Sequence, residues 1–461
     1  MLANMSEELQ ERFAQVQNEL LERWPESRIG PGLARVTDLL DLLGEPQRSI
    51  PAIHVAGTNG KTSTARMIES LLRAFGLRTG LFTSPHLHDI TERIRIDGEA
   101  IAVEKFVEAY DDIAPLLSLA DERSEQRGGP RLTFFETMTC LAYAVFAEAP
   151  VDVMVIEVGI GGTHDATNVI DAQVAVVTQI DFDHMHILGN TLEEIAANKA
   201  GVIKPGSAAV LAAQQPEAAR VLLARCAEVG AAPLRESLEF TVVDRLAAVG
   251  GQQLSLRGRF GDYPEVFLPL VGAHQAQNAA AALAAVEAFL GGAVDQERGP
   301  LDVEAVREGF AQVTSPGRLE VVRRDPTVIV DAAHNPAGAA ALAAGLQEAF
   351  SFGHLVAVVA VLGDKDADAM FQQWAPLVDE FILTRNESAR AQDPEQLAGR
   401  AAAHIEPERI SVVPDLASAI TEAVARADAA RERLGGGVGV LVTGSVVTAG
   451  QARALLGARK V

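Results

Sequence analysis

The sequence predicts an α/β protein of two domains, and three observations carry that prediction. Short apolar runs of strand length alternate with longer Ala- and Leu-rich runs of helix length through most of the chain. That alternation is the pattern of mainly parallel sheets covered by helices. A chain of 461 residues is long for one core, and its 48% of apolar residues suffices for more than one.

The elements follow in chain order. Residues 1–22, rich in Glu and Gln with scattered apolar positions, read as an amphipathic helix. They lack the basic start and apolar middle of a signal peptide. Residues 50–56, 151–158, 172–180 and 208–212 read as buried strands, and 67–75, 135–146 and 275–290 as helices. Residues 124–130, with Arg127-Gly128-Gly129-Pro130, are expected to form an exposed loop. Gly299-Pro300 and Ser315-Pro316-Gly317 bracket one more helix and supply a hinge. A second set of strands follows at 327–330, 355–361, 380–383, 410–413 and 439–442, with helical stretches such as 337–350 between them. The boundary is therefore expected near residue 313, giving domains 1–313 and 314–461. No repeat of fixed period is visible.

Composition excludes several classes. No apolar run reaches the length of a membrane-spanning helix. A balance of 39 basic against 62 acidic residues, net −23, argues against a nucleic-acid partner. Cys140 and Cys226 lie in apolar helix-like stretches with no second pair to suggest a metal site, which fits a reducing cytoplasm.

The strongest motif runs from Ile53 to Thr64: an apolar strand, the loop Gly57-Thr58-Asn59-Gly60, then Lys61-Thr62-Ser63, with a helix to follow. Glycines let backbone N–H groups approach phosphate oxygens, the helix N-terminus adds its dipole, and Lys61 adds a charge. The Thr62 hydroxyl suits Mg²⁺. The loop is shorter than the usual Walker A, whose first glycine falls on Val55 here.

This loop resembles that of the Mur ligase superfamily, and the motifs around it resemble the folate branch, dihydrofolate synthase and folylpolyglutamate synthase. The matching segments are Thr83-Ser84-Pro85-His86-Leu87, Glu157-Val158-Gly159-Ile160-Gly161-Gly162, Asp165-Ala166-Thr167-Asn168, Asp183-His184 and Lys199-Ala200-Gly201. Gly272-Ala273-His274, Pro316-Gly317-Arg318, Asp331-Ala332-Ala333-His334-Asn335-Pro336 and Thr443-Gly444-Ser445 continue in the expected order, to about residue 450. Thr62 stands where the branch usually has glycine, and Thr163-His164 where it usually has a basic residue.

The resemblance implies an N-terminal P-loop ATPase-type domain and a smaller, Rossmann-like C-terminal glutamate ligase domain. It implies an ATP- and Mg²⁺-dependent ligase that activates a folate or dihydropteroate carboxylate as an acyl phosphate and joins it to L-glutamate. A cytoplasmic monomer is expected. Catalysis would fall to Lys61, Lys199, His184 and Arg318. ATP would meet Gly57 to Ser63, Asn278, Arg318, Asp331 and His334, with His274 and Asn335 in the same crevice. Metal would meet Thr62, Ser84, Glu157, His184 and a carbamylated Lys199. Phe135, Asp165 and Ala166 would take the pterin end, where an aromatic face stacks and a carboxylate accepts N–H donors. Lys365 and Ser445 are the weaker candidates for glutamate.

Two other readings stand beside this one. A cell-wall Mur-type ligase carries an extra N-terminal UDP-sugar domain, and a loop starting at Gly57 is expected to leave no room for it. A nucleotide-dependent switch would not need the Arg318, Asp331 and Lys199 set.

Overall fold

The computed structural model describes residues 6–25, 28, 30, 32–291 and 299–458. Eight strands form the first sheet: β1 (Ala52–Ala56), β2 (Thr79–Phe82), β3 (Ile94–Ile96), β4 (Glu99–Ala100), β5 (Val153–Glu157), β6 (Val174–Val177), β7 (Ala208–Leu211) and β8 (Ala232–Arg235). Their order is β4-β3-β2-β5-β1-β6-β7-β8, all running the same way except β3, which is antiparallel to both β2 and β4. Every residue of β1 and β5 is buried, as central strands covered on both faces require. On one face, Ile53, Val55 and Val155 pack with Ile68 and Leu71 of the helix Lys61–Ala74 and Leu283 of the helix Ala273–Gly291. On the other, Met154 and Ile156 pack with Phe106, Leu141 and Phe146.

Three further strands, β9 (Thr241–Ala248), β10 (Gly251–Arg257) and β11 (Asp262–Leu268), form a small antiparallel sheet. Its Leu254, Val266 and Leu268 join the core under the helix Ala273–Gly291. The last sheet holds β12 (Glu320–Arg324), β13 (Thr327–Val330), β14 (His354–Val359), β15 (Glu380–Arg385), β16 (Ile410–Asp415) and β17 (Val438–Thr443). Its order is β12-β13-β17-β14-β15-β16, so β17 lies in the middle between β13 and β14. Only β12 runs antiparallel to its neighbour.

The structure departs from the sequence-based expectation in three places. The helix expected from residue 67 begins at Lys61, because Gly60 at φ +83 turns the chain directly into it while its polar first turn gives no apolar periodicity. The expected exposed loop 124–130 is partly helix: Val103–Gln126 runs through Ser124, which is buried and donates its hydroxyl to the Pro130 carbonyl. The antiparallel sheet β9–β11 was not foreseen. Its strands bury only some positions and carry Asp244, Arg245 and Gln253 among the apolar ones, so no continuous apolar run marks them.

Both large sheets place the residues of interest just beyond the carboxyl ends of central strands. β1 leads to Gly57, β5 ends at Glu157, β13 leads to Asp331 and β17 to Ser445. In open α/β sheets that edge is where ligands bind.

Candidate active site

Beyond β1 the loop is shaped by its glycines. Gly57 has φ +146, and a Cβ there would lie 1.7 Å from Thr178 Oγ1. That hydroxyl donates to the Asn59 carbonyl at 2.7 Å and so fixes the loop from β6. Lys61 Nζ folds back to donate to the Gly57 and Thr58 carbonyls, each at 3.1 Å. Burial pushes the Lys61 ammonium toward its neutral form, opposed by Glu157, Asp183 and Asp165.

Glu157, at the end of β5, is buried and faces this loop. Its Oε1 accepts from Thr62 Oγ1 at 2.7 Å and its Oε2 from the Ser84 N–H at 3.2 Å. Burial raises its pKa, and Lys61, the Thr62 and Ser84 bonds and Arg318 oppose the rise. Lys199, the last residue of the helix Leu192–Lys199, is buried and donates to the Gly57 carbonyl at 2.7 Å. Burial, aided by the Lys61 charge, pushes its pKa down to about 7. His184 stands at φ +48 before the short helix Met185–Leu188, and burial lowers its pKa to about 4, so the ring is neutral.

From the other sheet, Asp331 follows β13 and its two oxygens accept from the Leu319 and Ala333 N–H groups at 2.8 Å. Those bonds hold the turn that carries Arg318 and His334 into the cleft, a structural duty that the sequence did not reveal. Asn335 Nδ2 donates to Asn59 Oδ1 at 3.0 Å and to Asp183 Oδ2 at 3.1 Å. Lys365 Nζ donates to Asp183 Oδ1 at 2.6 Å, and His334 Nε2 lies 3.6 Å from Asp183 Oδ2. Asp183 is thus the meeting point of the two halves of the site. Burial alone would raise its pKa, but His334, His184 and Lys365 hold it well below the usual carboxylate range.

The remaining candidates fall on the same walls. A Cβ on Gly60 would lie 2.6 Å from Asn278 Oδ1, which places that amide directly over the loop. His274 lines the cleft with Asn278, and burial lowers its pKa to about 4. Asp165 Oδ2 accepts from the Ile160 N–H at 2.9 Å, beside Ala166 and the Phe135 ring, which packs against Phe82 at 5.9 Å between centroids. Ser445 caps the helix Val446–Leu455, its Oγ accepting from the Thr448 N–H at 3.0 Å.

Of the sequence-predicted residues, Gly57 to Ser63, Ser84, Phe135, Glu157, Asp165, Ala166, His184, Lys199, His274, Asn278, Arg318, Asp331, His334, Lys365 and Ser445 line one cleft of ≈ 730 Å³, while Asn335 is buried behind its wall, bonded to Asn59 and Asp183. Sequence reasoning missed the bridging of Asp183 to Lys365, and also Arg390, whose Nη2 donates to Asp364 Oδ1 at 2.6 Å on the cleft wall. Asp183, next to a candidate histidine after a strand, carried a signal; Arg390, in an irregular segment, carried none.

A phosphate loop on one sheet, faced by Arg318 and Asp331 from another, defines a ligase of the Mur type. Residues 55–286 match the Mur ligase middle domain and residues 317–446 the Mur ligase glutamate ligase domain. The chain is 49% identical over 458 residues to the dihydrofolate synthase/folylpolyglutamate synthase of Mycobacterium tuberculosis, covering 96% of this chain and 93% of that one. It is 38% identical over 347 residues to the protein of the same name from Bacillus subtilis, covering 75% and 79%. The structure of Mycobacterium tuberculosis folylpolyglutamate synthase complexed with ADP superposes with a TM-score of 0.94 at 48% identity, over 98% of this chain and 100% of that one. Escherichia coli FolC in complex with DHPP and ADP gives 0.81 at 31% identity, over 96% and 97%. The chain belongs to the folate branch of the Mur ligase superfamily, the family of dihydrofolate synthase and folylpolyglutamate synthase. Among the described residues, no helix is long and apolar enough to cross a membrane.

Proposed function

We propose that this enzyme uses ATP to join L-glutamate to the carboxylate of dihydropteroate and of folyl-glutamates, releasing ADP and phosphate. The observation that carries the reading is the single cleft in which the phosphate loop, Glu157, Arg318 and the Phe135–Asp165 wall converge. The double name of the Mycobacterium and Bacillus relatives supports activity on both acids. The reading divides the chain near residue 313 and assigns nucleotide and folate binding to residues 1–313. Residues 314–461 take the ligase part, in a cytoplasmic monomer.

A carboxylate is a poor acyl donor because its leaving group would be oxide. Attack of the substrate carboxylate on the γ-phosphorus of ATP displaces ADP and gives an acyl phosphate, from which the amine of glutamate displaces phosphate. Gly57 to Ser63 cradle the phosphates, and Lys61 turns from its own loop carbonyls to meet their charge. Arg318 completes the neutralisation from the second half of the cleft. Asn278 borders the base, Asp331 and His334 the ribose, while Lys365 and Ser445 border the incoming glutamate.

The donor set fits Mg²⁺. The Glu157 carboxylate and the Thr62 hydroxyl meet at 2.7 Å with Ser84 beside them, an oxygen-rich group open to the cleft. Thr62, Ser84, Glu157 and the neutral His184 would hold the ion, which would supply charge neutralisation at the transferring phosphoryl. Lys199, titrating near neutrality, is suited to carbamylation, which requires the free amine and converts it to a carboxylate-like ligand. Formation of ADP by the purified protein should require both the pterin acid and glutamate. ADP release without either acceptor would sink the ligase reading in favour of a nucleotide switch.

A further inference from the structure

His54 lies in the middle of β1, fully buried, and does not line the cleft. An imidazole in the centre of a parallel sheet is costly unless its nitrogens are bonded. Its Nε2 lies 2.8 Å from Thr167 Oγ1, while its Nδ1, also buried, has no hydrogen-bond partner among the described residues. The polar investment of this ring is directed at Thr167 alone.

Thr167 passes that bond on. Its hydroxyl and its backbone N–H both reach Asp165 Oδ1, the latter at 3.0 Å, while the Ile160 N–H reaches Oδ2. A threonine hydroxyl has one proton. When that proton goes to the Asp165 carboxylate, the hydroxyl oxygen is free to accept from His54 Nε2–H. The ring is then the Nε2 tautomer, and the unpaired atom is the bare Nδ1 lone pair, less costly to orphan than an N–H. Burial keeps the ring neutral, with a pKa near 3, which suits a donor that must not carry charge. Burial also pushes the Asp165 carboxyl up, and the Thr167, Ile160 and Gly159 bonds oppose it.

We propose that His54 is a positioning residue for the pterin end of the substrate, acting through Thr167 to hold Asp165 as an oriented, ionised acceptor. The relay His54 to Thr167 to Asp165 runs from the strand interior to the cleft wall and touches neither the phosphate loop nor the metal donors. It rests on the reading of Asp165 as the acceptor of the pterin N–H groups.

The test measures KM for dihydropteroate, KM for ATP and kcat in purified full-length variants. His54→Leu and Thr167→Val should each raise KM for dihydropteroate about tenfold or more, with KM for ATP within about twofold of the parent. Glutamine places an amide nitrogen near the Nε2 position and serine keeps the hydroxyl, so His54→Gln and Thr167→Ser should restore most of the loss. Unchanged pterin KM in both disruptive variants, equal losses for pterin and ATP, or conservative variants no better than disruptive ones would each overturn the relay. If His54→Leu does not fold, the Thr167 pair decides by the same criteria. Asp165→Asn is measured alongside. An unchanged pterin KM there would refute the pterin role of Asp165 itself, and the relay with it. A raised KM there, with the His54 and Thr167 variants normal, would refute the relay alone.

Discussion

Lys61 and Lys199 both donate to the Gly57 carbonyl, yet their environments assign them different chemistry. Lys61 belongs to the glycine loop itself, where burial lowers its pKa and Glu157, Asp183 and Asp165 oppose that shift. Lys61→Ala should lower turnover by about 100-fold or more, with an unchanged thermal midpoint; near-normal turnover would refute the nucleotide assignment. Lys199 is buried and titrates near 7, so the free amine grows as pH rises through neutrality and the ammonium dominates below it. Carbamylation, followed with ¹³C-bicarbonate, should therefore increase between about pH 6 and 8, and Lys199→Ala should lose activity that small carboxylates partly restore. A bare amine at the top of that range, in bicarbonate, would refute the assignment. Much of this was legible in the sequence, because a phosphate loop needs glycines at fixed spacing and a lysine beside them. The bond between Lys365 and Asp183 was not, since residues 182 positions apart leave no local pattern.

At the scale of single elements, the loop after β1 and the helix Phe134–Glu148 make separate demands. Gly57→Ala would drive a methyl into Thr178 Oγ1 at a φ that L-residues rarely adopt. ATP binding should fall far more in this variant than in an alanine substitution at exposed Gly399, where a Cβ meets nothing and φ is not positive. Comparable nucleotide affinity in the two would count against the loop geometry. The helix Phe134–Glu148 carries Glu136, which pairs with Arg35 in a buried bridge, Nε to Oε2 at 3.1 Å. Removing one partner strands a buried charge, so Arg35→Met should cost about 3–5 kcal/mol in denaturant unfolding. Adding Glu136→Gln should return part of the loss, and additive losses would refute the pairing. Buried strands such as β1 and β5 were readable because both faces are covered, while β9–β11, with solvent on part of their surface, blended into their surroundings.

For the whole molecule, the contacts of Asp183 with Lys365 and Asn335, and of Ser63 Oγ with Ser315 Oγ at 3.0 Å, hold the two halves of the cleft together. An acyl phosphate must be shielded from water, and contacts that draw the two halves of the cleft together favour that shielding. On the proposed role of Arg318, a contact with the transferring phosphoryl made mainly in the transition state, Arg318→Ala should lower kcat more than it weakens ATP binding. A large loss of ATP affinity at unchanged kcat would make Arg318 a ground-state contact instead. The position of β17 has a further consequence, for the nascent chain. β13 and β14 are joined in the sheet only through β17, which begins roughly 80 residues after β14 ends. At about 5–20 residues per second, the ribosome leaves two unpaired inner edges for on the order of 4–16 s. During that interval the hairpin β12–β13 and the trio β14–β16 are exposed strands in search of a partner, and a chaperone that covers strand edges would find its work there.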